Sequence, residues 1–369
     1  MILNKKLQSI RASGIREIFQ AKKDHKDLVD FSLGQPDFDT PQFVKNAMVK
    51  NIQAGRNSYA ENQGILPLRQ AVARKLQEKN GITADPEEVI ITVGTTGGLV
   101  LSLFTFLNPG DEVIIPDPCF VLYRELPKLL GAKPVMLDTY PNFQVDPKKL
   151  AALITKRTRI LILNTPNAPT GQIYNKKVLR EIAGLARKHN LIIIADEIYE
   201  DFIYDQREHV SIGSFYEQTI TLNGFSKSYG LPGWRIGYMH TPRQYVPEMI
   251  KLQQFLYACA PTPAQHALVD VFSHISFTRD IQIQYQKKRD MVDDILSDHF
   301  VFPQPVGSFY VFCQAPGKNA TEFCRSALKE GVVLVPGNIF SRHDTHFRLC
   351  FAAKDEVLIK GLKRLTTFI

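Results

Sequence analysis

The sequence predicts an α/β protein: a large unit around a mostly parallel sheet, with a smaller α+β unit beside it. Three observations carry this expectation. From Glu88 to His240 short apolar runs alternate with helical stretches, as a βαβ series requires. Two of the runs, Ile160-Leu-Ile-Leu and Leu191-Ile-Ile-Ile, are apolar without interruption, the mark of strands covered on both faces. After Thr241 the pattern changes to long helical stretches followed by isolated strand-like runs.

Seven segments of the first stretch read as strands: 89–92, 112–116, 133–137, 159–164, 191–196, 219–224 and 235–239. Helical segments lie between them, and 176–189 carries its apolar residues on one stripe. Beyond 241, helical patterns run to Leu296. Strands are then expected at 307–313, 332–336 and 345–351, with helices at 319–329 and from Lys354 onward. A helix near 7–22 is expected to pack on this smaller unit. A chain of 369 residues is too long for one core, so the division expected is 46–270 for the large domain and 1–45 with 271–369 for the small one.

Composition narrows the functional classes. The chain is 44% hydrophobic and 22% charged, ordinary for a globular protein. No apolar run approaches the roughly 20 residues that cross a bilayer, so no membrane partner is expected. The opening Met1-Ile-Leu-Asn-Lys-Lys-Leu lacks the apolar core of a secretion signal. The net charge of +8 comes from dispersed residues, and the longest basic run is Lys287-Lys288-Arg289. That suits a solvated basic surface, so no nucleic-acid partner is expected. Five scattered cysteines, an odd number, suit reduced thiols in the cytoplasm.

Ligands of open α/β sheets bind at the carboxyl ends of strands. There the sequence places Asn164 with a Pro-rich loop, Asp196 with Glu197 and Tyr199, and Gly224 through Lys227, with Arg235 close behind. Each has an ordinary explanation taken alone. An acid leaving a strand caps the next turn, Gly94–Gly98 makes a common strand-to-helix turn, a lone Phe belongs in a core, and a lone Arg in a strand pairs with an acid. Their convergence on one rim is the unusual feature. Metal catalysis is not expected, because His343 and His346 lack a further ligand pattern. No dinucleotide or phosphate-loop glycine motif occurs, nor the Gly-x-Ser-x-Gly of a serine hydrolase.

Several segments, in order, resemble the fold type I, class I/II aminotransferases. They are Ser32-Leu-Gly-Gln-Pro-Asp-Phe-Asp-Thr-Pro, Tyr59-Ala-Glu-Asn-Gln-Gly, Asn164-Thr-Pro-Asn-Ala-Pro-Thr-Gly, Ala195-Asp-Glu-Ile-Tyr, Asn223-Gly-Phe-Ser-Lys-Ser-Tyr-Gly-Leu-Pro-Gly-Trp-Arg, Gly307-Ser-Phe-Tyr and Phe347-Arg-Leu-Cys-Phe. They span nearly the whole chain. The resemblance implies a pyridoxal-phosphate enzyme that moves an amino group from an L-amino acid to a 2-oxo acid, usually 2-oxoglutarate, by a ping-pong mechanism.

It also implies roles. Lys227 would hold the cofactor as a Schiff base and, once freed, shuttle the proton. Asp196 would pair with the pyridine nitrogen, and Tyr199 would bond the ring oxygen. Arg235, Ser226 and the Gly94-Thr95-Thr96 turn would bind the phosphate. Phe120 would stack on the ring. Tyr59 would reach the phosphate of a neighbouring subunit in a homodimer. Arg348 would grip the substrate α-carboxylate, and Gly34 lies in the loop that closes over it. One departure stands out: Ala168 occupies the place of the Asn that usually precedes Pro-Thr-Gly, leaving Asn167 or Asn164 to compensate or Tyr199 to act alone. The same scaffold also serves carbon–sulfur β-lyases and, in some regulators, a non-catalytic ligand sensor. The sensor needs an attached DNA-binding domain, and too few residues precede Ser32 to form one.

Overall fold

The computed structural model describes residues 4–8, 10 and 27–367. After the two-residue strand β1 (Val29–Asp30), the large sheet collects β2 (Val89–Thr92), β3 (Glu112–Asp117), β4 (Lys133–Asp138), β5 (Thr158–Asn164), β6 (Ile192–Asp196), β7 (Thr219–Gly224) and β8 (Gly237–His240). Their order is β2-β8-β7-β6-β5-β3-β4. β3 to β7 run parallel, while β8 is antiparallel to both β7 and β2. The expected fold class, α/β with a mostly parallel seven-stranded sheet, is the one observed.

The pleat explains the continuous apolar runs. Ile160, Ile162 and Ile194 enter a core with Leu99 and Met239 on one face. Their neighbours Leu161, Leu163, Ile193 and Ala195 enter a second core with Leu179 and Ile182 on the other. The helix Lys176–His189 covers that second face. The Asn175 side chain accepts from the Val178 N–H at 2.9 Å to start it, and Asn190 ends it in a left-handed conformation at φ 51°.

The last strand of the sheet begins later than the expected 235–239. Arg235 adopts φ 53° at the end of a tight turn, so pairing starts at Gly237. A Cβ on Gly237 would lie 2.8 Å from the Gly94 carbonyl carbon and 2.9 Å from the Thr95 nitrogen. Only glycine lets the strand run against that turn.

The remaining strands are β9 (Tyr310–Gln314), β10 (Val332–Val333), β11 (Val335–Pro336) and β12 (His346–Cys350). β11, β12 and β9 form an antiparallel sheet, and β1 pairs in parallel with β10. The expected strand 332–336 is therefore split between two sheets at Leu334. The strand expected from Gly307 starts at Tyr310, because Ser308 sits at φ 54° and donates its N–H to the Phe202 carbonyl. Of the helix expected at 7–22, residues 7 and 8 fall in the short helix Lys5–Gln8. The rest, Ile10 apart, lies outside the described residues. Among the described residues no helix is long and apolar enough to cross a membrane.

Val29 and Phe31 share a core with Phe347, Leu349, Leu358 and Leu362. We propose the domain division 46–270 against the two chain ends, a division supported by this shared core and by the β1–β10 pairing. The closing helix Asp355–Thr367 seats on Phe31 through Gly361, where a Cβ would lie 2.4 Å from the ring of that fully buried residue. Alanine at 361 gains about 1 kcal/mol of helix propensity but overpacks the ring at a cost of about 1–3 kcal/mol. Gly361→Ala is therefore expected to lower stability by about 1 kcal/mol, read as a reduced urea midpoint; a raised midpoint would show that Phe31 yields.

Candidate active site

The carboxyl ends of β5, β6 and β7 open into a cavity of about 280 Å³. Asp196 is the last residue of β6. Tyr199 follows in a turn closed by the Glu200 N–H on the Glu197 carbonyl. Lys227 and Ser226 lie just beyond β7, and Arg235 precedes β8. Arg348 comes from β12 of the smaller sheet, and Gly34 from the loop after β1. Gly34, Thr95, Thr96, Phe120, Asp196, Tyr199, Ser226, Lys227, Arg235 and Arg348 all line this one cavity.

Desolvation governs its electrostatics. Burial lowers the Lys227 ammonium to about 8, with Arg348 and Arg235 pushing the same way and Cys350 and Asp196 opposing. Its Nζ donates to the Gly34 carbonyl at 2.6 Å. Burial also raises the Asp196 carboxyl to about 6. The Tyr123 hydroxyl on Oδ2 (2.7 Å) and the Ile198 N–H on Oδ1 (3.1 Å) pull it back. The carboxyl is therefore largely ionised near neutral pH, while the lysine gives up its proton only slightly above it, well below an ordinary lysine.

Two rings hold Arg348, with its guanidinium carbon 4.7 Å from the Tyr310 centroid and 4.6 Å from that of Phe340. Its Nη2 donates to the Ser32 carbonyl at 2.6 Å, while its buried Nε has no partner among the described residues. A buried guanidinium with an open donor is made for a carboxylate. Tyr199 and Tyr310 share a hydroxyl contact of 2.9 Å, and burial raises the Tyr199 phenol well above its usual range. Gly34 is required beside this pair, since a Cβ there would lie 2.1 Å from the Tyr310 hydroxyl.

At the opposite end the helix Gly94–Phe106 starts without a side-chain cap, so its first N–H groups are left for a ligand. Gly94 has φ 66°, and a Cβ there would lie 2.8 Å from Nη2 of Arg235. An uncapped helix start, a guanidinium and the Ser226 hydroxyl form an anion cradle. The amine, the buried carboxylate, the phenol and this cradle match the functional groups of pyridoxal phosphate.

Three candidates sit apart from the cavity wall. Gly94 acts through the turn it shapes. Asn167 is turned into its own loop, where Oδ1 accepts from the Thr170 N–H (3.2 Å) and hydroxyl (2.8 Å). Tyr59 is 88% exposed and borders a separate surface hollow with Val93, Tyr257 and Cys259. Asn164 does line the cavity, but its amide is engaged: Oδ1 accepts from the Ala168 N–H (2.8 Å) and Nδ2 donates to the Asp196 carbonyl (2.9 Å).

Tyr123, Tyr310, Phe340 and Ser32 also line the cavity, with no role expected from the sequence. Tyr310 closes the Gly307-Ser-Phe-Tyr motif, and Tyr123 lies one helical turn from Phe120, which were signals of a sort. Ser32 opens the Ser32-Leu-Gly motif, but Phe340 carried no signal, because its role toward Arg348 depends on how two distant segments meet.

The chain is similar to known proteins over its whole length. The family model for aminotransferase class I and II matches residues 26–365. Aromatic-amino-acid aminotransferase 2 of Thermococcus litoralis is 36% identical, over 99% of this chain and 97% of its own. The aspartate aminotransferase of Pyrococcus abyssi is 35% identical over the same shares. Among solved structures, aspartate aminotransferase from Thermus thermophilus with maleate superposes with a TM-score of 0.95 at 34% identity, covering 100% of both chains. The chain belongs to the class I and II aminotransferases, and it is a pyridoxal-phosphate-dependent enzyme of fold type I.

Proposed function

We propose that this enzyme moves the amino group of an L-amino acid to a 2-oxo acid, with 2-oxoglutarate as acceptor, in a ping-pong cycle anchored on Lys227. The observation that carries the reading is the meeting of Lys227, Asp196, Arg235 and Arg348 in one cavity. Pyridoxal phosphate, when bound, supplies an aldehyde for the amino group and an electron-poor ring that relieves the charge left on the substrate Cα.

The chain does the rest. Lys227 anchors the cofactor covalently. Arg348 takes the substrate α-carboxylate on its open Nε and one Nη, which aims the Cα at the lysine. Once released, Lys227 Nζ takes the proton from that Cα, a task suited to an amine that titrates near 8. Asp196 keeps a negative charge against the ring nitrogen, and the Tyr199 hydroxyl donates to the ring oxygen. Arg235, Ser226, Thr95, Thr96 and the Gly94 turn hold the phosphate.

We place Tyr59 in the site of a second subunit, making the enzyme a homodimer; the 88% exposure of this large ring supports that reading. A cytoplasmic setting belongs to the same proposal and is supported by five free thiols, four of them buried.

The purified protein should absorb visible light through lysine-bound cofactor, and Lys227→Ala should abolish both the band and turnover. A panel of amino donors against 2-oxoglutarate and pyruvate should give the matching 2-oxo acids. Pyruvate and ammonia released from a cysteine conjugate would identify a β-lyase instead, and no amino transfer to any acceptor would sink the proposal.

Tyr123→Phe removes the hydroxyl that lowers the Asp196 carboxyl, so that carboxyl should rise further. The acid limb of kcat/KM against pH should then move up by about one pH unit, since a hydrogen bond to a buried charge is worth about 1.5 kcal/mol or more. An unmoved limb would show that Asp196 does not govern it. For apo-protein, the rate of cofactor capture should climb with pH as the Lys227 amine loses its proton and level off above about 8. A rate still climbing toward 10.5, the value of an ordinary lysine, would mean that burial does not activate the amine.

A further inference from the structure

The turn that carries Asp196 and Tyr199 toward the cavity sends Glu197 and Glu200 the other way, into a buried network the reaction does not use. Glu197 is fully buried. Oε1 accepts from the Ser211 hydroxyl at 2.6 Å and Oε2 from Asn80 Nδ2 at 3.2 Å, while Nε2 of His209 lies 2.9 Å from Oε2 as a polar contact without hydrogen-bond geometry. Asn80 Nδ2 also donates to Oε2 of Glu200 at 2.8 Å, so one amide ties both carboxylates. The ammonium of Lys75 lies against Glu200, with Lys79 at 3.9 Å. Lys79 also pairs with Asp201, whose other oxygen accepts from the hydroxyl of Ser228, the residue after Lys227.

The ligand atoms of Glu197, Glu200 and His209 lie within 4.8 Å of one another. That is close enough to hold a cation, but the chain supplies its own in Lys75. The network therefore reads as a clamp. Lys75, Lys79 and Asn80 come from the last turns of the helix Leu66–Asn80. Through Glu197, Glu200 and Asp201 they grip the peptide units next to Asp196, Tyr199 and, by way of Ser228, Lys227. Side chains one peptide away from a reacting group set where that group points, and a shift of about 1 Å is enough to cost catalysis.

We infer that the buried network of His209, Ser211 and Asn80 on Glu197 positions Asp196 and Tyr199, making His209 a positioning residue of the transfer reaction. The inference rests on the proposed placement of Asp196 and Tyr199 against the cofactor. Removing a partner leaves a buried carboxylate short of donors, and the turn must move to recover them.

The test compares holoenzymes carrying His209→Leu and His209→Gln, together with a titration of each apo-protein with pyridoxal phosphate. His209→Leu should lower kcat roughly 10- to 100-fold and weaken cofactor binding about tenfold, while KM for the amino donor, set by Arg348, changes less than about twofold. His209→Gln, which keeps a polar group beside Glu197, should restore most of both. A folded, cofactor-saturated His209→Leu enzyme with unchanged kcat and cofactor affinity, differing only in melting temperature, would overturn the inference. Should that variant not fold, Ser211→Ala decides by the same readouts: reduced kcat with weakened cofactor binding supports the inference, and no change in either overturns it. Asp196→Ala is the control. If it too leaves kcat and cofactor affinity unchanged, the functional reading itself has failed; if it lowers them while the network variants do not, only the inference falls.

Discussion

Burial of charge is the constraint on which the rest of the structure depends. Lys227, Asp196 and Arg348 are all withdrawn from water within one small cavity, and each would shed or regain a proton, or stay costly, without partners. Each is handled differently. Asp196 is kept ionisable by a tyrosine hydroxyl and a backbone N–H. Arg348 is held between two aromatic faces with one carbonyl acceptor and an open donor. Lys227 donates to the Gly34 carbonyl, and burial lowers its ammonium to about 8, so that its proton is lost far more easily than that of an ordinary lysine.

The sheet makes this crowding possible. Parallel strands bring Asn164, Asp196 and the segment after Gly224 to one edge, and the reversed strand β8 brings Arg235 back to the same edge. Close backbone approach is then the limiting factor, met by glycine at Gly94, Gly237 and Gly34. The arginine that completes the cavity comes from the smaller sheet. The cavity therefore exists only while the loop after β1 and the strand β12 stay docked, which ties function to the core shared by Phe31 and Phe347.

Much of the fold was legible because its signals are local. A βαβ series shows in the alternation of apolar runs and helical stripes. The errors fall where the backbone turns left-handed, at Arg235 and Ser308, or where one apolar run serves two sheets, at 332–336. None of these leaves a mark in apolar periodicity. In the site, Lys227, Asp196, Tyr199 and Arg235 were legible because strand ends carry motifs. Tyr123 and Phe340 were not, since each is an aromatic residue that sequence alone assigns to a core.

By itself the sequence determined the βαβ series, the order of the motifs and hence the family, because these depend on neighbours along the chain and on residue types that chemistry demands. Only the tertiary structure decided which side chains face the cavity. It turned Asn167 inward to its own loop, spent the Asn164 amide on Ala168 and Asp196, and set Tyr123 and Tyr310 as the hydroxyls that hold Asp196 and Tyr199. The physical reason is that a buried polar group takes whichever partner lies within hydrogen-bond reach. Reach between residues 73 or 111 positions apart, as for these two tyrosine contacts, is set by packing alone.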